Sequence, residues 1–378
     1  MKILLVSMPS IHVIRWIENL KDTNFDLYWF DVLDRGKLKT LDSVTQFTGW
    51  KKRKKAYIKG EYFLSKKLPN LHEKILPLLE VTTNDALKKI IEDIQPDIVH
   101  SFEMQSCSYP ILKIMRKFPK LKWLYSCWGN DLFYYMNFND HNSKIKNVLK
   151  RVDYLHTDCK RDFNLASKLN FSGKYLGVIP GGTGYKIKEL EPFRLPIQAR
   201  KIILVKGYEH IFGRGINIVK ALHSLISEIN DYEVVIFGAH HSVIDYIKTY
   251  QLGFRAYDRH ELPHDELIKL MGKSLIYIGN NISDGMPNTL LEAIVMGAFP
   301  IQSNPGGVTE EIICNNENGL LIQSPESIEE IKENILKAIS DINLLEEASL
   351  KNQKIASERL EYSNNKQKVI EMYKTIMK

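Results

Sequence analysis

Residues 280–313 read NNISDGMPNTLLEAIVMGAFPIQSNPGGVTEEII, a loop, a helix, a buried strand and a Gly-rich loop in succession, and the flanking chain is placed by them. Pro287 suits the first helical position, because its fixed backbone angle fits a helix start and its missing N–H would have no partner there. Leu290, Leu291, Ile294 and Val295 recur at helical spacing and predict an apolar face packed on a sheet. Gly297 is the expected stop, since a left-handed C-cap costs glycine least. Off that face remain Glu292 and, in the preceding loop, Asp284. These are two carboxylates at a helix entrance, where the helix dipole attracts anions. Asn304-Pro305-Gly306-Gly307, followed by Glu310 and Glu311, predicts the same arrangement one strand later, a turn opening a second helix with backbone donors for an anion. Carboxylates that accept from sugar hydroxyls, beside amides that hold phosphate, suit a nucleotide sugar.

The stretch resembles the signature of the retaining GT-B glycosyltransferases of family four, the glycosyl transferases of group 1. In that family two acidic residues with seven between them, a proline, a Leu-rich helix and a Gly-Gly-x-x-Glu-x-Ile loop surround the donor. The acidic pair here is Asp284 and Glu292, where the family usually has two glutamates. The resemblance implies that Glu292 binds the ribose hydroxyls and that Asp284 touches the transferred sugar. It further implies that Gly285, Met286, Pro287, Asn288, Thr289, Gly306 and Gly307 bind the donor. The fold it implies is α/β of the GT-B type, two Rossmann-like doubly wound parallel-sheet domains facing across a cleft. The plainer alternative makes the two acids ordinary cap and surface groups of an α/β loop.

At 378 residues the chain exceeds what one hydrophobic core usually serves, which favours two domains. Strand and helix signals alternate along it, as a parallel doubly wound sheet requires. Residues 178–184 resemble the loop that closes the family's first domain, and a polar, Pro-containing stretch places a linker near 186–198. The expected division is 1–190, with a C-terminal helix of about 360–378 crossing back, and 191–359. No run of about 18 apolar residues appears. MKILLVSMPS reads as a first strand, since polar residues resume at His12 and Arg15. The four cysteines show no CxxC spacing and suggest neither a zinc site nor a disulfide framework. A cytoplasmic setting is the default.

In the first domain, Ser10 is the expected N-cap of a helix leaving the first strand. Strand ends of this kind are where open α/β folds bind ligands, so His12 and Arg15 are acceptor-side candidates. The family's Gly-Gly pair is absent there, and His12 as a plain surface histidine is the alternative. His100 and Trp128-Gly129-Asn130-Asp131 also fall at strand ends. Both resemble the family's acceptor-side loops, the second of which often reads His-Gly-Ser-Asp. Trp128 takes the histidine's place, so the resemblance implies that the histidine's role is either missing here or supplied by another group, with His100 and Asp131 as the catalytic candidates. For His100 the other reading is a buried histidine satisfied by neighbouring backbone.

The second domain opens with a strand ending at Lys206, then Gly207-Tyr208 and, further on, Gly213-Arg214-Gly215 at a helix start. This resembles the family's phosphate-binding segment, usually Gly-Arg and then Lys-Gly. Arg214 is the expected catalytic cation for the departing diphosphate, with Lys206 as the reserve. A surface arginine in a loop is the competing reading. No Asp-x-Asp pair sits at a plausible strand end, so neither a metal nor a cofactor is expected, only the nucleoside-diphosphate sugar as co-substrate.

Residues 50–67, WKKRKKAYIKGEYFLSKK, hold eight basic residues, one acid and four aromatics. Aromatics sit well at a bilayer interface and basic residues near anionic lipid, and the net charge of +7 agrees. Peripheral contact with the inner face of the cell membrane is the expectation. A solvated surface segment is the alternative; nucleic acid is disfavoured, because nothing else matches a nucleic-acid-binding module.

The combined reading is a metal-independent hexosyltransferase moving a sugar from a nucleotide sugar to a saccharide or lipid-linked acceptor in surface polysaccharide biosynthesis, with retained configuration. A nucleotide-sugar epimerase and a non-enzymatic nucleotide-sugar-binding protein are the rivals. A dinucleotide oxidoreductase is disfavoured, since no G-x-G-x-x-G follows a strand.

Overall fold

Short runs of aliphatic residues buried on both faces recur through the chain, and they pair side by side because parallel strands covered by helices need apolar residues at every position. The computed structural model describes residues 1–179 and 184–378. Of the expected closing loop at 178–184, residues 180–183 therefore lie outside the described ones. Two compact units form. Met1–His156, Leu165–Gly177 and Met372–Lys378 make up the first, and Thr157–Asn164 with Val178–Glu371 the second.

The first unit is built on strands β1 (Lys2–Ser7), β2 (Asp26–Asp31), β3 (Thr45–Phe47), β4 (Ile98–Phe102), β5 (Lys122–Cys127), β6 (Tyr154–Thr157) and β7 (Lys174–Val178). Their order, β3-β2-β1-β4-β5-β6-β7, reverses between β1 and β4. The helix Ile11–Glu18 leaves β1 and is capped by Ser10, whose hydroxyl accepts from the Val13 N–H at 3.3 Å. The helix Thr83–Ile94 opens on a capping box formed by Thr82 and Asp85, and each such cap satisfies donors that helix geometry leaves over.

The second unit orders its strands β10-β9-β8-β11-β12-β13. They are β8 (Ile202–Lys206), β9 (Glu233–Ala239), β10 (Arg255–Asp258), β11 (Ser274–Gly279), β12 (Phe299–Ser303) and β13 (Leu320–Ile322). Both sheets are parallel. The helix Asn288–Met296 ends at Gly297 in the left-handed region, φ 75°, as expected. It starts one residue later than expected, with Pro287 as N-cap instead of first helical residue. Every residue from Leu290 to Met296 is buried, so the helix lies inside the unit and Glu292 is not off the packed face.

One expectation gives way. No α-helix follows Gly306-Gly307. Two 3-10 turns, Pro305–Gly307 and Thr309–Glu311, stand there, because both glycines take positive φ (63° and 81°) and Asn304 Oδ1 accepts from the Thr309 and Glu310 N–H groups. The region 186–198, where a linker is expected, is a succession of short turns, Ile187–Leu190, Glu191–Phe193 and Ile197–Ala199.

Candidate active site

In a doubly wound sheet ligands bind beyond the carboxyl ends of the strands where the order reverses. In the second unit that place is the β8/β11 boundary, and the sequence-predicted donor residues converge on it. Lys206 ends β8 with its side chain 10% exposed, and its Nζ stands 3.9 Å from Asp284 Oδ2 in the loop after β11. The same oxygen accepts from Asn281 Nδ2 at 2.8 Å, and Oδ1 from the Gly285 N–H at 3.0 Å. Burial pushes the Asp284 carboxyl up from its ordinary range, against the pull of Lys206. Deeper in, Glu292 is buried and accepts from His264 Nε2 at 2.8 Å. Tyr277, on β11, bonds Thr289 Oγ1 at 2.8 Å and so ties the helix entrance to the sheet.

The turn after β8 is packed against itself. A Cβ on Gly213 would lie 2.3 Å from the Tyr208 carbonyl oxygen, and one on Gly215 2.8 Å from Gly207 carbon. These glycines allow the turn to close on itself. Tyr208 lies flat against His240 (4° between planes) and over Gly238, where a Cβ would meet its ring at 2.4 Å. Lys206 Nζ sits 4.8 Å from the centre of the Tyr208 ring and the Arg259 guanidinium 5.6 Å, both within cation–π range.

Arg214 does not meet its expectation as the free phosphate clamp. Its Nε is paired with Glu326, and its Nη1 donates to the Gly213 and His210 carbonyls at 2.8 and 3.2 Å. A guanidinium held by a carboxylate and two carbonyls latches the turn. Lys206 is the cation paired with Asp284. The Gly307 N–H closes its own turn onto the Asn304 carbonyl at 3.3 Å.

A feature unseen in the sequence laces these loops together. Arg161, 8% exposed, donates from Nη2 to the Asp284 carbonyl and from Nη1 to the Pro305 carbonyl, each at 2.7 Å, and pairs with buried Asp162 at 2.8 Å. Glu311 accepts from the Lys160 and Arg161 N–H groups at 2.8 and 2.9 Å, and Asp158 Oδ2 from the Met286 N–H at 3.2 Å. The only sequence signal is the charged run Asp158-Cys159-Lys160-Arg161-Asp162 at a strand end. Asp158, Cys159 and Asp162 bring ligand-type atoms within 4.8 Å of one another. Arg161 already balances Asp162, and burial pushes the Cys159 thiol up, so the charge pattern fits a hydrogen-bonded clamp.

In the first unit, His12 and Trp128 do come together, ring centres 5.2 Å apart, at the carboxyl ends of β1 and β5. Arg15 follows His12 by one turn on the same helix. His100 and Asp131, the catalytic candidates, both lie inside the first unit, each held by neighbouring groups. His100 has no exposed surface; its ring nitrogens bond Tyr373 Oη at 2.6 Å and Ser126 Oγ at 2.7 Å, and burial with nearby His156 holds its pKa well below the usual value. It is a satisfied core histidine, although side chains and not backbone satisfy it. Asp131, 2% exposed, accepts from the Tyr125 hydroxyl at 2.5 Å and the Trp128 N–H at 3.0 Å, fixing the loop that carries Trp128. Glu103 is the strand-end acid that stands out. It takes positive φ, 68°, its carboxylate accepts from the Gln105 and Ser106 N–H groups at 2.8 and 2.6 Å, and burial together with Asp131 pushes its pKa up to about 7.

Comparison with known proteins bears on this geometry. Residues 205–355 match the family "Glycosyl transferases group 1", and residues 71–159 match "Glycosyl transferase 4-like". No curated protein sequence matches the chain. Among solved structures, a glycosyltransferase from Rickettsia africae is similar at 18% identity and TM-score 0.67, covering 100% of this chain and 98% of that one. Sucrose-phosphate synthase from Thermosynechococcus elongatus gives 14% and 0.72, over 100% and 99%. Anabaena HepE in complex with UDP and glucose gives 15% and 0.68, over 99% and 100%. The fold is that of the GT-B glycosyltransferase structures.

Proposed function

We propose that the chain transfers a sugar from a nucleoside-diphosphate sugar to an acceptor hydroxyl with retention of configuration, without a metal. The observation that carries this is the Lys206–Asp284 pair at the β8/β11 switch, with buried Glu292 one turn into the next helix. In the step, the bond from the sugar's C1 to the β-phosphate oxygen breaks with its electron pair going to the diphosphate. The acceptor oxygen bonds C1 on the same face, and its proton passes to the departing phosphate. Lys206 offsets the charge that grows on the diphosphate, and a cation placed beforehand in a low-dielectric site needs no reorganisation as it does so. Glu292, held by His264, takes the ribose hydroxyls; Asp284, oriented by Asn281 and the Gly285 N–H, takes a hydroxyl of the sugar.

UDP is the first nucleotide to test, because HepE is known in complex with UDP and with UDP-glucose. The acceptor is a saccharide or a lipid-linked saccharide of a surface polysaccharide. A thermal-shift panel of UDP, GDP, ADP, CMP and their sugar conjugates tests the donor assignment, since ligand at about 100 times its Kd stabilises by about 2.7 kcal/mol. One nucleoside diphosphate should raise Tm, and Glu292→Gln should weaken that nucleotide about tenfold, the effect of about 1.4 kcal/mol. No shift with any nucleotide would sink the reading. Donor converted to an isomer in the absence of acceptor would identify an epimerase instead.

A further inference from the structure

Large apolar side chains left in solvent are normally scattered over a soluble domain. Here seven of the 17 among the described residues fall between positions 57 and 78. They are Tyr57 (81% exposed), Ile58, Tyr62 (77%), Phe63, Leu68, Leu71 and Leu78. They lie on the loop after Trp50, on two consecutive helices of the first unit, Glu61–Lys67 and Pro69–Leu79, and, for Leu68, at the joint between them. Leu71 and Leu78, seven positions apart, share a helix face.

The same surface is strongly basic. Lys51, Lys52, Lys55, Lys59, Lys66, Lys67 and Lys74 are all exposed. Glu61 does not offset them, because both of its oxygens are held by Arg53 at 2.8 Å; that bidentate pair holds the carboxyl down to about 2. Arg53 also bonds Glu80 at 3.2 Å and lies 4.0 Å over the Tyr57 ring, so the segment is fastened to the helices and the apolar groups are held outward.

We propose that this face, residues 51–78, docks on an anionic lipid bilayer, lying in the interface without crossing it. Aromatic rings and leucines enter the acyl boundary while lysine stems reach back to headgroup phosphates. Charge decides between occupants. A second copy meeting this face with its own would bring like charges together, which disfavours pairing. Single-stranded nucleic acid uses bases stacked on aromatics and gives no role to Ile58, Leu68, Leu71 and Leu78. No helix among the described residues is long and apolar enough to cross a membrane, in keeping with surface attachment.

The inference goes beyond sugar transfer and is independent of it, since its test uses neither donor nor acceptor. The full chain is sedimented with phosphatidylcholine vesicles, with and without phosphatidylglycerol, at low and high salt. Binding is expected only to the vesicles containing phosphatidylglycerol and is expected to weaken with salt. Each lysine changed to glutamine among Lys51, Lys52, Lys55 and Lys59 should lower the partition coefficient about fivefold. Tyr62→Ser with Phe63→Ser should release the protein at unchanged Tm. Equal partition of wild type and both variants, or no binding to either vesicle, would overturn the proposal. So would a dimer, or a complex with single-stranded polynucleotide, that the same substitutions abolish while vesicle binding stays unchanged.

Discussion

Lys206 and Arg214 leave opposite ends of the same turn, and their partners separate them. Lys206 has one carboxylate near it, Asp284 Oδ2 at 3.9 Å, which is beyond hydrogen-bond distance, so its ammonium stands open to an incoming anion at the β8/β11 switch. Arg214 is spent on Glu326 and two carbonyls. Lys206→Met should therefore lower kcat by about 10²–10³, the usual loss when one group stabilising developing charge is removed. Arg214→Ala should mainly lower Tm. Steady-state kinetics beside calorimetry read both, and a larger kcat loss in Arg214→Ala would return the cationic role to it. His100 is held inside the core at both ring nitrogens. Tyr373→Phe would strip the Trp16 Nε1–H and His100 Nδ1 of a shared partner inside the core, where an unmade hydrogen bond costs about 1–3 kcal/mol. Urea titration should show that loss, and a neutral effect would mean that the Tyr373 hydroxyl holds nothing.

At the scale of elements, the loops after β11 and β12 depend on Arg161. Arg161→Ala breaks the buried ion pair with Asp162, which costs about 3–5 kcal/mol, and removes the donor that holds the carbonyls of Asp284 and Pro305 together. A denaturant midpoint close to wild type, with nucleotide affinity unchanged, would refute the clamp. The alternation of strands and helices, the Gly297 stop and the Ser10 cap were legible in the sequence because each rests on local pattern or on one residue's backbone preference. Arg161 was not legible, since the two carbonyls it holds lie more than a hundred positions away and a charged run reads as surface. The turns at Pro305–Gly307 and Thr309–Glu311 misread as a helix because Asn304 supplies by side chain what a helix N-terminus supplies by position. Glu292 misread for a related reason: a helix covered all round shows no polar face against which to place an acid.

Across the first unit as a whole, two buried groups give stability opposing pH slopes. Glu103, raised to about 7, favours the folded state fully below its unfolded value near 4.5, and that contribution is lost as pH rises through about 7. His100, depressed, contributes above its unfolded value near 6.5 and loses its contribution as pH falls. Glu103→Gln should thus gain stability relative to wild type as pH rises from 4.5 to 7, followed by urea unfolding at several pH values. A constant difference across that range would refute the assignment. The segment Thr157–Asn164 sits early in the chain yet belongs to the second unit, where Arg161 holds the donor loops. Anyone recombining this protein with a relative by cutting near residue 190 would give the donor half a foreign clasp. The seam that respects the hydrogen bonds carries those eight residues along with the half they fasten.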